Sequence, residues 1–131
     1  GINNMEMMVN YALTGKMDGY DLSMDNPVFN KYCCTLNLVS EGGIIGEVVG
    51  LDNILKNKNI IHVEKRYNVG DKIEKTGTLR HVIMRIHIIE DNIEKLINSI
   101  KQIQNNIKVY DENGFPMLLP LFDTDKLFIY K

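Results

Sequence analysis

The sequence predicts an α+β fold: a mainly antiparallel sheet with helices packed on one face. Three observations carry this. Short apolar segments with period-two alternation recur between turns that contain glycine. One long segment, Asp91 to Ile107, carries an apolar stripe at helical spacing. The links between the strand segments are short, which favours antiparallel pairing over crossovers.

The elements follow in order. Asn4 to Leu13 reads as a helix because Met5, Met8, Val9 and Ala12 recur at i, i+3, i+4 and i+7. Asn3 or Asn4 caps its start, and Gly15 stands where a helix-ending glycine belongs. Its methionines, Met5, Met7 and Met8, are expected in a core or an interface. Residues 16–31 are polar, with Gly19 and an Asn26-Pro27 turn, and read as a long surface loop. Tyr32 to Val39 reads as a strand with Cys34, Leu36 and Leu38 on one face. After the turn Glu41-Gly42-Gly43 comes a second strand, Ile44 to Val49, ended by Gly50. Leu51 to Lys56 is a short helix and Ile60 to Tyr67 a third strand. Asn68 to Gly77 is a charged loop with Gly70-Asp71 at a turn.

Leu79 to Glu90 is the longest strand. Val82, Met84, Ile86 and Ile88 line one face; His81, Arg85 and His87 share the other with Ile83. In the helix that follows, Ile93, Leu96, Ile97, Ile100, Ile103 and Ile107 form the stripe, and Asp91 with Glu94 resembles a capping box. Lys108 to Asp111 is a short strand ending at Glu112-Asn113-Gly114. The tail, residues 115–131, mixes apolar residues, Pro120 and charge, and is expected to add an edge strand. No internal repeat is visible.

At 131 residues the chain suits one domain, 1–131. Hydrophobic residues at 44% and charged residues at 24% are ordinary for a folded domain. A net charge of -2 gives no footprint for nucleic acid or an anionic membrane surface, so neither is expected as a partner. Apolar runs fall short of the ~20 residues that span a bilayer. The N-terminal segment has no apolar region of a signal peptide. Cys33 and Cys34 are adjacent in a strand and point to opposite faces, which disfavours a mutual disulfide and fits a reducing, cytoplasmic setting. Because it starts at Gly1 with a sequence that reads as mid-protein, the chain is expected to be a fragment of something longer.

Each chemistry-bearing cluster has a plain reading beside the functional one. Glu41-Gly42-Gly43 could offer backbone N–H groups to a carboxylate or phosphate, but the favoured reading is a turn needing positive φ, since no basic helix follows to complete a phosphate loop. His81 and His87 are about 20 Å apart along a strand and cannot chelate one ion. Arg85 and His87 are about 7 Å apart and could bind an anion together; a solvated or salt-bridged sheet face is favoured. His62 stands alone in its segment and reads as structural. Asp71, Lys72, Glu74, Lys75 and Arg80 alternate in sign, as a soluble surface turn does. Arg80, after Thr76-Gly77-Thr78, could reach a ligand or neighbouring domain. Asp18, Asp21, Asp25 and Asn26 miss the spacing of a calcium loop. Ser23, Ser40 and Ser99 are the only serines, and none lies in a nucleophile elbow. No catalytic residue and no metal ligand is expected in this chain.

Read together, the segments resemble the C-terminal part of ATP-grasp carboxylate–amine ligases, the branch with L-amino-acid ligases and carbamoyl-phosphate-synthase-like proteins. Met8-Val9-Asn10-Tyr11-Ala12-Leu13-Thr14-Gly15 is similar to the helix after that family's catalytic core, which often ends A-L-x-G. Glu41-Gly42-Gly43-Ile44-Ile45 with Gly50-Leu51-Asp52 resembles its G-G-x-[IV] and G-L-D/E strand-turn. Val69-Gly70-Asp71-Lys72-Ile73 resembles its V-G-D-x-[IV] turn. Thr76 to Arg80, Arg85-Ile86 and the Asp91 to Asn106 helix resemble its closing strand and helix. The likeness covers most of residues 1–110; the tail after Gly114 carries none.

The resemblance implies a biotin-carboxylase-C-like subdomain without catalytic residues. The family's acidic pair and metal-binding Asn lie upstream of the matched helix, and Asn26-Pro27 is not that segment because Val28 follows it. ATP and Mg are therefore expected for the parent enzyme and no cofactor for this chain. The implied partner is the upstream catalytic domain, with a homodimer as a further option. The resemblance implies substrate contact at Glu41, Gly42, Gly43 and Arg80, and Arg85 is a further candidate. Met84 stands where family members often carry a small residue. The alternatives are a stand-alone small-molecule-binding module and a dimerisation domain. The V-G-D-K-I turn is also similar to that of biotinyl and lipoyl domains, but Met84-Arg85-Ile86 lacks their modified lysine.

Overall fold

The computed structural model describes residues 3–17, 19, 30–75, 79–120 and 122–128. It forms two compact units, Gly1–Asn30 and Lys31–Lys131. The Asp18, Asp21, Asp25 and Asn26 cluster and Thr76-Gly77-Thr78 lie outside the described residues.

In the first unit, helix α1 spans Asn4–Thr14. The Asn3 side chain accepts from the Glu6 N–H, and Gly15, at φ 68, ends the helix with its N–H on the Tyr11 carbonyl. Its apolar stripe is not a core: α1 buries no residue, and Met5 and Met8 are exposed.

In the second unit, β1 (Tyr32–Val39), β5 (Val82–Glu90) and β3 (Ile60–Lys65) form one antiparallel sheet with β5 in the centre. β4 (Lys72–Ile73), β2 (Gly43–Val49) and β6 (Lys108–Asp111) form a second, with β2 in the centre. Helix α2 (Leu51–Leu55) follows β2, and helix α3 (Ile93–Asn106) joins β5 to β6. α3 packs on β5 and β1, covering one face of the first sheet. Leu36 and Leu38 from β1, Met84, Ile86 and Ile88 from β5, and Leu96, Ile100 and Ile103 from α3 belong to one core. Ile107 and Val109 extend it toward the second sheet. The expected fold class stands: α+β, antiparallel, helix on one face.

Four local expectations are corrected. The long strand begins only at Val82, because Leu79–His81 form a 3-10 turn. Ile83 and His81 are buried rather than on the polar face. A register shift opposite Leu38/Val39 turns this end of β5 inward. The cap of α3 is Asn92, whose side chain accepts from the Lys95 N–H, not Asp91 with Glu94. Asp91 instead pairs with Lys31 and Lys95. Among its described residues the tail forms no regular edge strand. It threads between the sheets: Met117 donates to the Val109 carbonyl and accepts from the Glu41 N–H, while Leu119 donates to Val39.

Ser40 holds the corner between the sheets. Its N–H donates to the His81 carbonyl at 2.9 Å, and its carbonyl accepts from His81 Nδ1 at 2.9 Å. Its hydroxyl accepts from the Gly42 N–H at 3.3 Å. A fully buried polar residue needs such partners, since an unpaired group there costs about 1–3 kcal/mol.

Candidate functional site

The sheet β1-β5-β3 has one face under α3 and one facing solvent. Strand alternation puts Thr35 and Asn37 of β1, Arg85 and His87 of β5, and His62 and Glu64 of β3 on that second face. Their order across the sheet follows from register. Arg85 lies opposite Asn37 on one side and Glu64 on the other; His87 lies opposite Thr35 and His62. Arg85 Nη1 donates to Glu64 Oε2 at 3.1 Å, and Arg66 Nε approaches Glu64 Oε1 at 3.8 Å. Thr35 Oγ1 lies 3.2 Å from His87 Nδ1. The favoured reading of this face as salt-bridged therefore holds for Arg85. His62 is not alone: its ring centroid is 5.6 Å from that of His87. No sequence signal relates the two, because a β3–β5 register shift beside Ile60 and His62 brings them together.

The Glu41–Gly43 turn does need its glycines. Gly42 and Gly43 have φ of 100 and 121, and a Cβ on Gly42 would meet the Ile73 carbonyl oxygen at 3.2 Å. The N–H of Glu41 goes to Met117 and that of Gly42 to Ser40, so these two donors are committed within the protein. Arg80 is exposed, and its carbonyl accepts from the Tyr67 hydroxyl at 2.8 Å. The Ser40–His81 link brings the turn and Arg80 to one end of β5. Arg85 lies about 13 Å further along the strand, four residues beyond His81. The five candidate residues thus fall into two places.

Other polar clusters serve the fold. Glu90, buried at the end of β5, accepts from the Ser99 hydroxyl with one oxygen and from Asn59 Nδ2 at 3.0 Å with the other. Asp91 is held down at about 2 by hydrogen bonds from Lys31 and Lys95, and Lys31 is raised in turn. Both cysteines are free thiols; burial pushes Cys34 up, while Cys33 is exposed. Among the described residues, no three His, Cys, Asp or Glu side chains could hold one metal ion, and no helix is long and apolar enough to cross a membrane.

No family model matches the sequence, and no curated protein does. Solved structures match by fold. An L-amino acid ligase from Bacillus licheniformis superposes with a TM-score of 0.63 at 14% identity, over 85% of this chain and 27% of that one. A phosphoribosylglycinamide synthetase from Anaerococcus prevotii superposes with a TM-score of 0.51 at 19% identity, over 68% of this chain and 22% of that one. Both are ATP-grasp enzymes, and the fold is one that part of each contains. The chain spans about a quarter of their length.

Proposed function

We propose that this chain is the non-catalytic C-terminal domain of an ATP-dependent carboxylate–amine ligase. The observation that carries the reading is the fold shared with 27% of an L-amino acid ligase over 85% of this chain. The ordered motifs from Glu41 to Arg85 support it independently. In the whole enzyme, ATP and Mg bind the upstream domain. A substrate carboxylate takes the γ-phosphoryl group, ADP leaves, and an amine displaces phosphate from the acyl phosphate. Metal and cationic groups stabilise the transferring phosphoryl. This chain packs on that core and helps wall the substrate pocket. At one end of the sheet the Glu41 and Arg80 side chains offer contacts, with Gly42 and Gly43 shaping the turn that presents Glu41, and Arg85 stands on the open face beside Glu64. A cytoplasmic setting goes with the two free thiols.

A second reading, a self-associating module without ligase activity, is favoured by one feature. The apolar stripe of α1 is exposed, with Met5 at 74% and Met8 at 63%, and such stripes are normally covered.

The test is a thermal-shift titration with Mg-ATP and with ADP. No shift at millimolar nucleotide is expected. Nucleotide at a hundred times the Kd of a hidden site would add about 2.7 kcal/mol, so a rise in Tm that grows with the logarithm of nucleotide concentration would refute the reading. The reading frame upstream of Gly1 supplies the positive arm. It should encode the acidic pair and metal-binding Asn of an ATP-grasp core. Sedimentation of the chain, dimer against monomer, decides the second reading.

A further inference from the structure

His62 and His87 are directly opposed on β3 and β5, on the solvent-facing side of the first sheet. Their ring planes are inclined by 44° and their centroids lie 5.6 Å apart. Metal–nitrogen bonds of about 2.0–2.1 Å place each imidazole centroid about 3.2 Å from an ion; two rings on a tetrahedral ion then lie about 5.2 Å apart. The observed spacing already approaches that value, and small side-chain rotations close the rest. Thr35 Oγ1 stands 3.2 Å from His87 Nδ1. With Nδ1–H donating to that oxygen, Nε2 keeps its lone pair, the arrangement in which an outer partner orients a metal-binding histidine. The next cross-strand pair, Glu64 with Arg85, sets an anion and a cation side by side. His81 takes no part, since its ring is buried against the Ser40 carbonyl.

We propose that His62 and His87 form a two-histidine site for a borderline divalent transition ion, with Zn2+ as the type. Imidazole suits Zn, Cu and Ni, whereas Mg and Ca take oxygen donors, so the site discriminates against Mg2+. Two protein ligands leave coordination positions open to water or to an anionic donor. The ion also clips the edge strand β3 to the central strand β5. This goes beyond the ligase reading and does not depend on it.

The test uses the whole chain with Cys33→Ser, which removes the exposed thiol as a competing ligand. ZnCl2 and, separately, MgCl2 are titrated while the imidazole proton resonances are followed by NMR and the heat by calorimetry. Zn2+ should move the His62 and His87 resonances together, saturating at one equivalent, and leave His81 in place; Mg2+ should move none. His62→Gln and His87→Gln should each lose at least about tenfold in Zn2+ affinity with an unchanged circular dichroism spectrum. His62 is exposed, so H62Q decides the matter even if H87Q folds poorly. The proposal is overturned if neither resonance moves at millimolar Zn2+, if only one moves, or if H62Q binds as tightly as its parent.

Discussion

Gly50→Ala tests the joint between α2 and α3. Gly50 has φ 87, and a Cβ there would lie 2.1 Å from the Asn106 carbonyl oxygen and 2.8 Å from its carbon, distances real Cβ atoms do not show. Two costs combine. A left-handed residue other than glycine costs about 1–2 kcal/mol. Pushing a packed backbone aside costs about 1–3 kcal/mol more. The expected loss is roughly 3 kcal/mol. An unfolding entropy of about 2.1 cal/mol/K per residue makes that roughly an 11 °C drop in Tm for a chain of 131 residues. Two other glycines separate the costs. Gly70 has φ 93 with nothing within 4 Å of a Cβ, so Gly70→Ala carries the conformational cost alone, about 1–2 kcal/mol. Gly46, at the β2–β6 register shift, would place a Cβ 2.3 Å from the Asp111 carbonyl oxygen, so Gly46→Ala carries mainly the steric cost, about 1–3 kcal/mol. Urea unfolding followed by circular dichroism at 222 nm measures all three, as the chain has no Trp. If Gly50→Ala costs no more than Gly70→Ala, the close approach of Gly50 to Asn106 does not exist in solution and the reasoning fails.

Three further outcomes are expected. Ser99→Ala strips the buried Glu90 of one donor and should cost about 1–3 kcal/mol; a urea midpoint equal to that of the parent would show that Glu90 does not depend on Ser99. Asp91 is depressed from 3.8 to about 2 in the fold, so its contribution is present above pH 3.8 and is lost as pH falls through about 2. The stability gap between the parent and Asp91→Asn should therefore narrow between about pH 4 and pH 2, and a gap constant over that window would contradict the Lys31 and Lys95 pairing. Cys33 should react with a disulfide reagent about tenfold or more faster than Cys34, whose thiol is half-buried and raised; mass spectrometry of the partly labelled chain reads the order, and preferential labelling of Cys34 would reverse the assignment of faces.

Local chemistry is why so much of this fold was legible. Asn3 and Gly15 bound α1, and Tyr32–Val39 and Lys108–Asp111 are strands with the expected ends. Leu96, Ile100 and Ile103 of the α3 stripe are in the core. All of these depend on neighbours within a few residues, and a single sequence carries that information. The stripe of α1 shows the limit of the same signal. Periodicity reports that a face is apolar, not what covers it, and Met5 and Met8 are exposed.

The candidate site was much less legible. Arg85 was visible as a strand residue, but its partner Glu64 was not, because the pairing of β3 with β5 spans the charged loop between them. His62 looked solitary for the same reason. Glu41-Gly42-Gly43 was readable as a turn needing positive φ, yet only the returning tail, through Met117, decides that the Glu41 N–H is occupied. The sequence by itself determined which segments are helices, strands and turns, and which faces are apolar. The tertiary structure alone decided which strands are neighbours, in what register, and therefore which side chains meet. A one-residue slip in a strand exchanges its two faces, and two register shifts in this sheet do so at Val39 and at His62.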